Sequence, residues 1–250
     1  MHWHDGKSDL LVGCCGFPMA MDRYFARFPI VEVQQTFYQP PRIETLRKWR
    51  EEAPEGFAFT MKAWQLITHE PASPTYRRLK EPVPPEMEER YGSFRPTEEV
   101  SAAWRATLAA ARALKAKVIV FQSPSSFTPT REHQTNLHAF IERAKEDCGD
   151  ILLGWEPRGE WGRELVLQLC TELGLLLVVD PFRTPPPRMD IRYFRLHGIG
   201  GYHYRYEDEE LEVLAEWSAG KTFCLFNNTN MAEDAARFLE IAARRVSTVS

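Results

Sequence analysis

Residues 151–180 read ILLGWEPRGEWGRELVLQLCTELGLLLVVD. The apolar run Ile151 to Glu156 turns polar only at its end. A helical stripe follows at Leu165, Val166, Leu169, Cys170 and Leu173, and Gly174 stands where a helix stops on a left-handed residue. Leu175 to Asp180 then repeats the apolar run. Strands that stay hydrophobic almost to the end are those covered by helices on their outer face, so this stretch predicts a βαβ unit of a parallel sheet.

The same alternation recurs in Leu10 to Cys15, Ile30 to Gln35, Phe57 to Lys62, Val118 to Ser123, Arg192 to His197 and Thr222 to Asn227. With the first two runs that makes about eight, the number an α/β barrel requires. The clearest helix starts at Thr97 as N-cap, with Glu98 and Glu99 in its first turn and a stripe of Val100, Trp104, Leu108, Ala111 and Leu114 running toward Lys115 and Lys117. Further stripes are Ile43 with Leu46; Leu137, Phe140, Ile141 and Ala144; Leu211, Leu214 and Trp217 before Gly220; and Ala235, Ala236, Leu239, Ala242, Ala243 and Val246. Two connections break the rhythm. Ala63 to Pro96 carries six prolines and reads as an extended loop after strand three, on the catalytic face of a barrel and suited to a lid that brings Trp64 or His69 to the mouth. Pro181 to Asp190, with Pro185, Pro186 and Pro187, is too short and proline-rich for a crossover helix. The expectation is an α/β fold, a single (β/α)8 TIM-type barrel over residues 1–250, irregular after strand six.

Composition bounds the chemistry. At 44% hydrophobic and 26% charged over 250 residues, the chain is of the ordinary globular class and needs no staples. Five cysteines without a CxxC pair indicate neither a disulfide framework nor a zinc knuckle. No apolar run is long enough to span a bilayer, and MHWHDGKSDLL lacks a signal-peptide layout, so a cytoplasmic location is expected, with no membrane partner. A net charge of -4 counts against nucleic acid as the main partner.

Barrel enzymes gather their chemistry at strand C-termini. There this chain has Glu32 and Gln34, Lys62, Gln122, Glu156 with Arg158, Asp180, Arg195 with His197, and Asn227 with Asn228. Glu156, Asp180, His197 and Lys62 are the catalytic candidates; Glu32, Tyr38, His69, Gln122, Arg158, Arg195, Asn227 and Asn228 are the ligand-binding candidates. Each has a plainer reading. Glu32 and Arg195 suit an interior ion pair, His197 a hydrogen-bonded core histidine, Asn227 and Asn228 a helix cap, and Tyr38, Trp64 and Trp161 packing. Cys14 and Cys15 read as small buried hydrophobes rather than nucleophiles. The amino-terminal His2 and His4 read as incidental, and the glycines of HGIGGYHYRY as a turn before a phosphate cradle.

Several of these segments together resemble the YecE-like family of domains of unknown function, DUF72: VGCCGF, VEVQQTFY, FTMKAWQLITH, IVFQSPSSF, YFRLHG and LFNNT. The resemblance runs nearly end to end. It implies a TIM barrel, and implies that Glu32, Thr36, Phe37, Tyr38, Lys62, Thr68, His69, Gln122, Arg195, His197, Gly198, Asn227 and Asn228 match recurring family positions. It implies no reaction. Departures are Cys14 and Cys15 where Thr and Ser are usual, Gln34 and Gln35 for Asn and a small residue, EPRGEW from Glu156 to Trp161 for a motif close to EFRHPSW, and Ala232 for a glycine.

Two function classes follow. The first is an enzyme on a small or nucleotide-like anion, in which Lys62, Arg158 and Arg195 hold negative charge while Glu156 or Asp180 moves protons and His197 assists. At least one of those cations is expected at an open cleft, the alternative being full internal pairing. A divalent-metal phosphoester hydrolase built on Glu156, Asp180 and His197 ranks lower, because the interleaved cations would repel a metal; no metal or cofactor is assigned. The second class is a non-catalytic nucleic-acid or ligand-binding module using Arg77, Arg78, Arg183, Arg188 and Arg205. The oligomeric state leaves no mark in the sequence.

Overall fold

The computed structural model describes residues 9–249, and side chains for residues 9–245; His2 and His4 lie outside the described residues. Eight strands, β1 (Leu10–Cys15), β2 (Ile30–Val33), β3 (Ala58–Lys62), β4 (Val118–Gln122), β5 (Leu152–Glu156), β6 (Leu176–Val179), β7 (Ile191–Leu196) and β8 (Lys221–Phe226), pair in chain order and close on themselves as a barrel. The described ladders are parallel, β1 meeting β2 at Gly13↔Ile30 and β8 at Val12↔Cys224. The helices are α1 (Met21–Arg27), α2 (Gln35–Tyr38), α3 (Ile43–Glu52), α4 (Gln65–Thr68), α5 (Glu98–Leu114), α6 (Arg131–Cys148), α7 (Arg163–Leu173), α8 (Asp208–Trp217) and α9 (Met231–Val249). No helix of the described residues is long and apolar enough to cross a membrane.

By compactness the chain divides into two units. One comprises the residues up to Glu32, Ala53–Ala58 and those from Val178 on; the other comprises Val33–Glu52 and Phe59–Leu177. The first unit is cored by Val12, Tyr24, Ile30, Tyr193, Phe194, Phe223 and Phe226, all fully buried. Tyr24 ties β1 to β2: its hydroxyl accepts the Cys14 N–H at 2.7 Å and donates to the Ile30 carbonyl at 2.7 Å. In the second unit Phe94, Phe121, Phe127 and Phe140 pack tilted and edge-on against one another, Trp104 joining them at Phe121 and Phe140, with centroids 5.2–6.0 Å apart.

The helix signals act as read. Thr97 caps α5 by accepting the Val100 N–H, the Val100-to-Leu114 stripe is buried, and Gly174 ends α7 at φ 62°. The stripe of α9 is rotated from the expected one: Ala235, Ala236, Phe238 and Ile241 are buried, Leu239 and Ala242 are half-buried, and Ala243 is exposed. The side chain of Val246 lies outside those described. Between β6 and β7 no helix forms. Asp180 Oδ1 takes the Phe182 N–H at 3.1 Å and its carbonyl takes those of Arg183 and Thr184, a side-chain turn that leads into the prolines.

Two segments differ from expectation. The second apolar run stops at Val33; Gln34 is already helical at φ -86°, ψ -28°, and Gln35–Tyr38 makes one helical turn. The cause is Thr36, whose hydroxyl lies 3.0 Å from the Val33 carbonyl and 2.7 Å from that of Lys62, a local hydrogen bond that competes with the sheet ladder. The segment after β3 is not extended. It contains buried α4 and two 3-10 turns, Pro74–Arg78 and Pro85–Arg90, the first capped by Ser73. It folds onto the turn that follows β2, at the C-terminal end of the strands: Gln65 Nε2 donates to the Tyr38 carbonyl at 3.0 Å, and Arg78 sits 4.2 Å from the Tyr38 ring centroid.

Candidate functional site

In the first unit, β2, β1 and β7 converge on one carboxylate. Glu32 is fully buried; its Oε1 receives Arg195 Nε at 3.1 Å and lies 3.0 Å from Arg195 Nη2, and its Oε2 receives the Tyr193 hydroxyl at 2.6 Å. Tyr193 and Arg195 are two apart on β7 and so share a strand face. Cys15 Sγ lies 3.4 Å from the same Oε1, and burial, with the Glu32 charge behind it, pushes its thiol well above the ordinary range. Burial likewise pushes Cys14 up to about 12. Neither is a thiolate at neutral pH, and Arg195, 1% exposed, is an interior ion-pair partner.

One residue beyond β6 and β7 a second group forms. Asp180 Oδ2 accepts the His197 backbone N–H at 2.9 Å, lies 3.4 Å from His197 Nδ1, and lies 3.6 Å from Arg183 Nε. The three side chains are 6%, 13% and 46% exposed, so exposure rises from the carboxylate through the imidazole to the guanidinium. Arg183 also donates from Nη2 to the Gly198 carbonyl at 3.1 Å. The sequence had marked Arg183 only as a rim cation; its place three residues after a strand-end aspartate was the available signal. Beyond β8, Asn227 donates its N–H to the Leu196 carbonyl at 2.8 Å. Asn228, fully buried, donates from Nδ2 to the Tyr204 carbonyl and to Asp234 Oδ2, each at 2.7 Å. It fastens the loop after β7 to α9.

The second unit holds the other candidates. Lys62 Nζ donates to Gln122 Oε1 at 2.5 Å and lies 3.7 Å from the Phe37 ring centroid, a cation over an aromatic face. His69 packs edge-on against Phe37 at 4.9 Å and bonds the Thr68 hydroxyl through Nδ1. Its burial, then the Lys62 charge, hold its pKa down at about 3, so the imidazole stays neutral. Glu156, beside Gln122 in the β4–β5 register, takes Arg158 Nη2 at 2.6 Å, and Arg158 remains 33% exposed. Trp161 donates its indole N–H to the Phe127 carbonyl at 2.6 Å and packs edge-on against Trp155, a structural role. Trp64 gives its backbone N–H to the Thr107 hydroxyl on α5 at 3.3 Å, and its indole N–H is buried without a hydrogen-bond partner among the described residues. The loop after β3 thus contributes His69 to this cluster. Gly159, which departs from the family motif, has its cause here: a Cβ would stand 2.3 Å from the Phe127 carbonyl oxygen. Among the described residues no three His, Cys, Asp or Glu side chains are grouped to hold a metal ion.

The comparisons agree with this architecture. A DUF72 family protein from Enterococcus faecalis is 22% identical and superposes with a TM-score of 0.68, over 94% of this chain and 97% of that one. A DUF72 family protein from Thermotoga maritima is 23% identical with a TM-score of 0.66, over 94% and 99%. More distant in sequence, at 15% identity, is a xylose isomerase domain-containing protein from Salmonella typhimurium, with a TM-score of 0.55 over 95% and 97%. Among curated proteins none matches the chain in sequence. The family described as Protein of unknown function DUF72 matches residues 18–249, and the chain therefore belongs to the DUF72 family.

Proposed function

We propose that this protein is an acid–base enzyme for a small anionic substrate, with Asp180 and His197 moving the proton and Arg183 holding the negative charge. One observation carries the reading: a partly exposed imidazole and a half-exposed guanidinium share one buried carboxylate at the ends of β6 and β7. Asp180 Oδ2 faces the Nδ1 edge of the His197 ring at 3.4 Å, and in this reading Nε2 exchanges the proton with substrate. Arg183 spends one N–H on the Gly198 carbonyl, and a guanidinium carries five such donors, enough for a two-pronged grip on phosphate or carboxylate. Arg195 and Arg158 take no leading part, because Glu32 and Glu156 already engage them. The xylose isomerase domain named for the Salmonella neighbour suggests sugars as test substrates for this reading.

The test is exchange of carbon-bound hydrogen with D2O, followed by NMR on a panel of aldose and ketose phosphates. Wild type is expected to label the carbon next to the carbonyl. His197→Ala and Asp180→Asn should lower the exchange rate by at least about a hundredfold, the scale of general acid–base catalysis, and Arg183→Ala should raise KM with a smaller effect on kcat. Exchange unchanged in the His197 and Asp180 variants, or no exchange on any panel member by wild type, overturns the proposal.

A further inference from the structure

The loop after β7 presents apolar surface that the fold does not need. Among the described residues the exposed large hydrophobic side chains are Ile199 (44%), Tyr202 (52%) and Val213 (39%), and the first two sit on this one loop, directly after His197. An exposed apolar residue on a soft loop is unremarkable in a folded protein, but this loop is pinned along its length. Gly198 gives its N–H to the Tyr206 hydroxyl at 2.9 Å and its carbonyl to Arg183 at 3.1 Å. The Tyr202 carbonyl takes the Thr229 N–H at 2.9 Å, the Tyr204 carbonyl takes Asn228 Nδ2 at 2.7 Å, and the Tyr204 hydroxyl is tied to Glu210 at 2.6 Å. The backbone is held on both sides of Tyr202 while its ring, edge-on to His203 with centroids 6.0 Å apart, and the Ile199 side chain stay about half exposed. A rigid backbone presenting an aromatic and an aliphatic group pre-organises a binding surface, since little conformational entropy remains to be lost on contact.

We infer that Tyr202 and Ile199 are the wall that receives the ring of the substrate, and that the substrate is a phosphorylated sugar, free or within a mononucleotide. The inference rests on the Asp180–His197–Arg183 reading above. Arg183 binds the loop at Gly198, so the anion-holding guanidinium and the apolar wall are parts of one assembly. The negative face of a tyrosine ring attracts the positive C–H edges of a sugar and stacks equally on a nucleobase, while the phosphate satisfies the arginine.

Calorimetric titration of wild type, Tyr202→Ala, Tyr202→Trp and Ile199→Ser with inorganic phosphate, glycerol phosphate, ribose 5-phosphate and AMP tests it. Wild type is expected to bind ribose 5-phosphate or AMP at least about tenfold tighter than ringless glycerol phosphate, a difference of ~1.4 kcal/mol. Tyr202→Ala should abolish that preference with phosphate and glycerol phosphate affinities unchanged, Ile199→Ser should narrow it, and Tyr202→Trp should keep it. AMP bound more tightly than ribose 5-phosphate assigns the wall to a base; the reverse assigns it to a free sugar. Equal affinity for ring and ringless phosphates in wild type, or a preference that survives Tyr202→Ala, overturns this inference and leaves the acid–base reading standing. No binding of any phosphate by wild type overturns this inference and, with it, the phosphate form of the acid–base reading.

Discussion

Replacing Arg195 with methionine should be the most damaging conservative change in the first unit. The substitution keeps the volume of the chain but removes the guanidinium that meets Glu32 Oε1 through Nε at 3.1 Å and Nη2 at 3.0 Å. Glu32 is 0% exposed, so water cannot take the vacated place, and the Tyr193 hydroxyl at 2.6 Å does not neutralise the carboxylate. Breaking a buried ion pair from one side costs about 3–5 kcal/mol. At about 2–4 °C per kcal/mol for a chain of this size, the midpoint should fall by roughly 6–20 °C. Glu32→Leu with Arg195→Met removes both charges and leaves neutral groups, the Tyr193 hydroxyl and the Cys15 thiol among them, to be satisfied, the hydroxyl at about 1–3 kcal/mol. The double variant should therefore be more stable than Arg195→Met alone. Urea unfolding followed by tryptophan fluorescence, with the two single variants completing a cycle, measures this. A loss below about 1 kcal/mol in Arg195→Met, or a double variant equal to the sum of the singles, refutes the argument that the pair is a coupled, desolvated unit.

Gly159→Ala should destabilise by about 1–3 kcal/mol, because its Cβ meets the Phe127 carbonyl at 2.3 Å and backbone must shift; a thermal midpoint equal to wild type would refute that account of the departure from the family motif. His69 gives a pH signature. Burial holds its folded pKa at about 3 against an ordinary 6.5, so below pH 6.5 the unfolded chain takes up a proton that the folded one does not. Its contribution to stability is whole above pH 6.5 and declines as pH falls toward 3, with a slope approaching about 1.4 kcal/mol per pH unit. His69→Gln should flatten the unfolding free energy between pH 6.5 and 4.5 relative to wild type; parallel pH profiles would contradict the buried neutral imidazole.

Much of the barrel was legible because periodicity reports burial. Leu10 to Cys15 is apolar from end to end and is β1 without correction, and the βαβ stretch 151–180 has its strands and helix where the pattern puts them. Gln34 to Tyr38 was not legible, since VQQTFY has the β-branched and aromatic character of a strand, and the Thr36 hydroxyl sits between the nearby Val33 carbonyl and that of Lys62, 26 residues away. The short helix α1 lacks a side-chain cap and buries only Tyr24, too little for a stripe. At the site, Asp180 and His197 stood out as polar residues ending apolar runs. Tyr193 did not, because a tyrosine inside a strand looks like packing, although its spacing from Arg195 put both on one face. Ile199 and Tyr202 carried no sequence signal, because exposure of a loop side chain depends on what pins its backbone.

The Glu32–Arg195 pair has a consequence for synthesis as well as stability. Its partners are separated by 163 residues. At about 5–20 residues per second on the ribosome, Glu32 emerges roughly 8–33 seconds before the arginine that neutralises it. During that interval β2 carries a carboxylate that still lacks Arg195, and its burial in nascent amino-terminal strands is disfavoured. The amino-terminal strands should therefore complete their dry core only once β7 has been made.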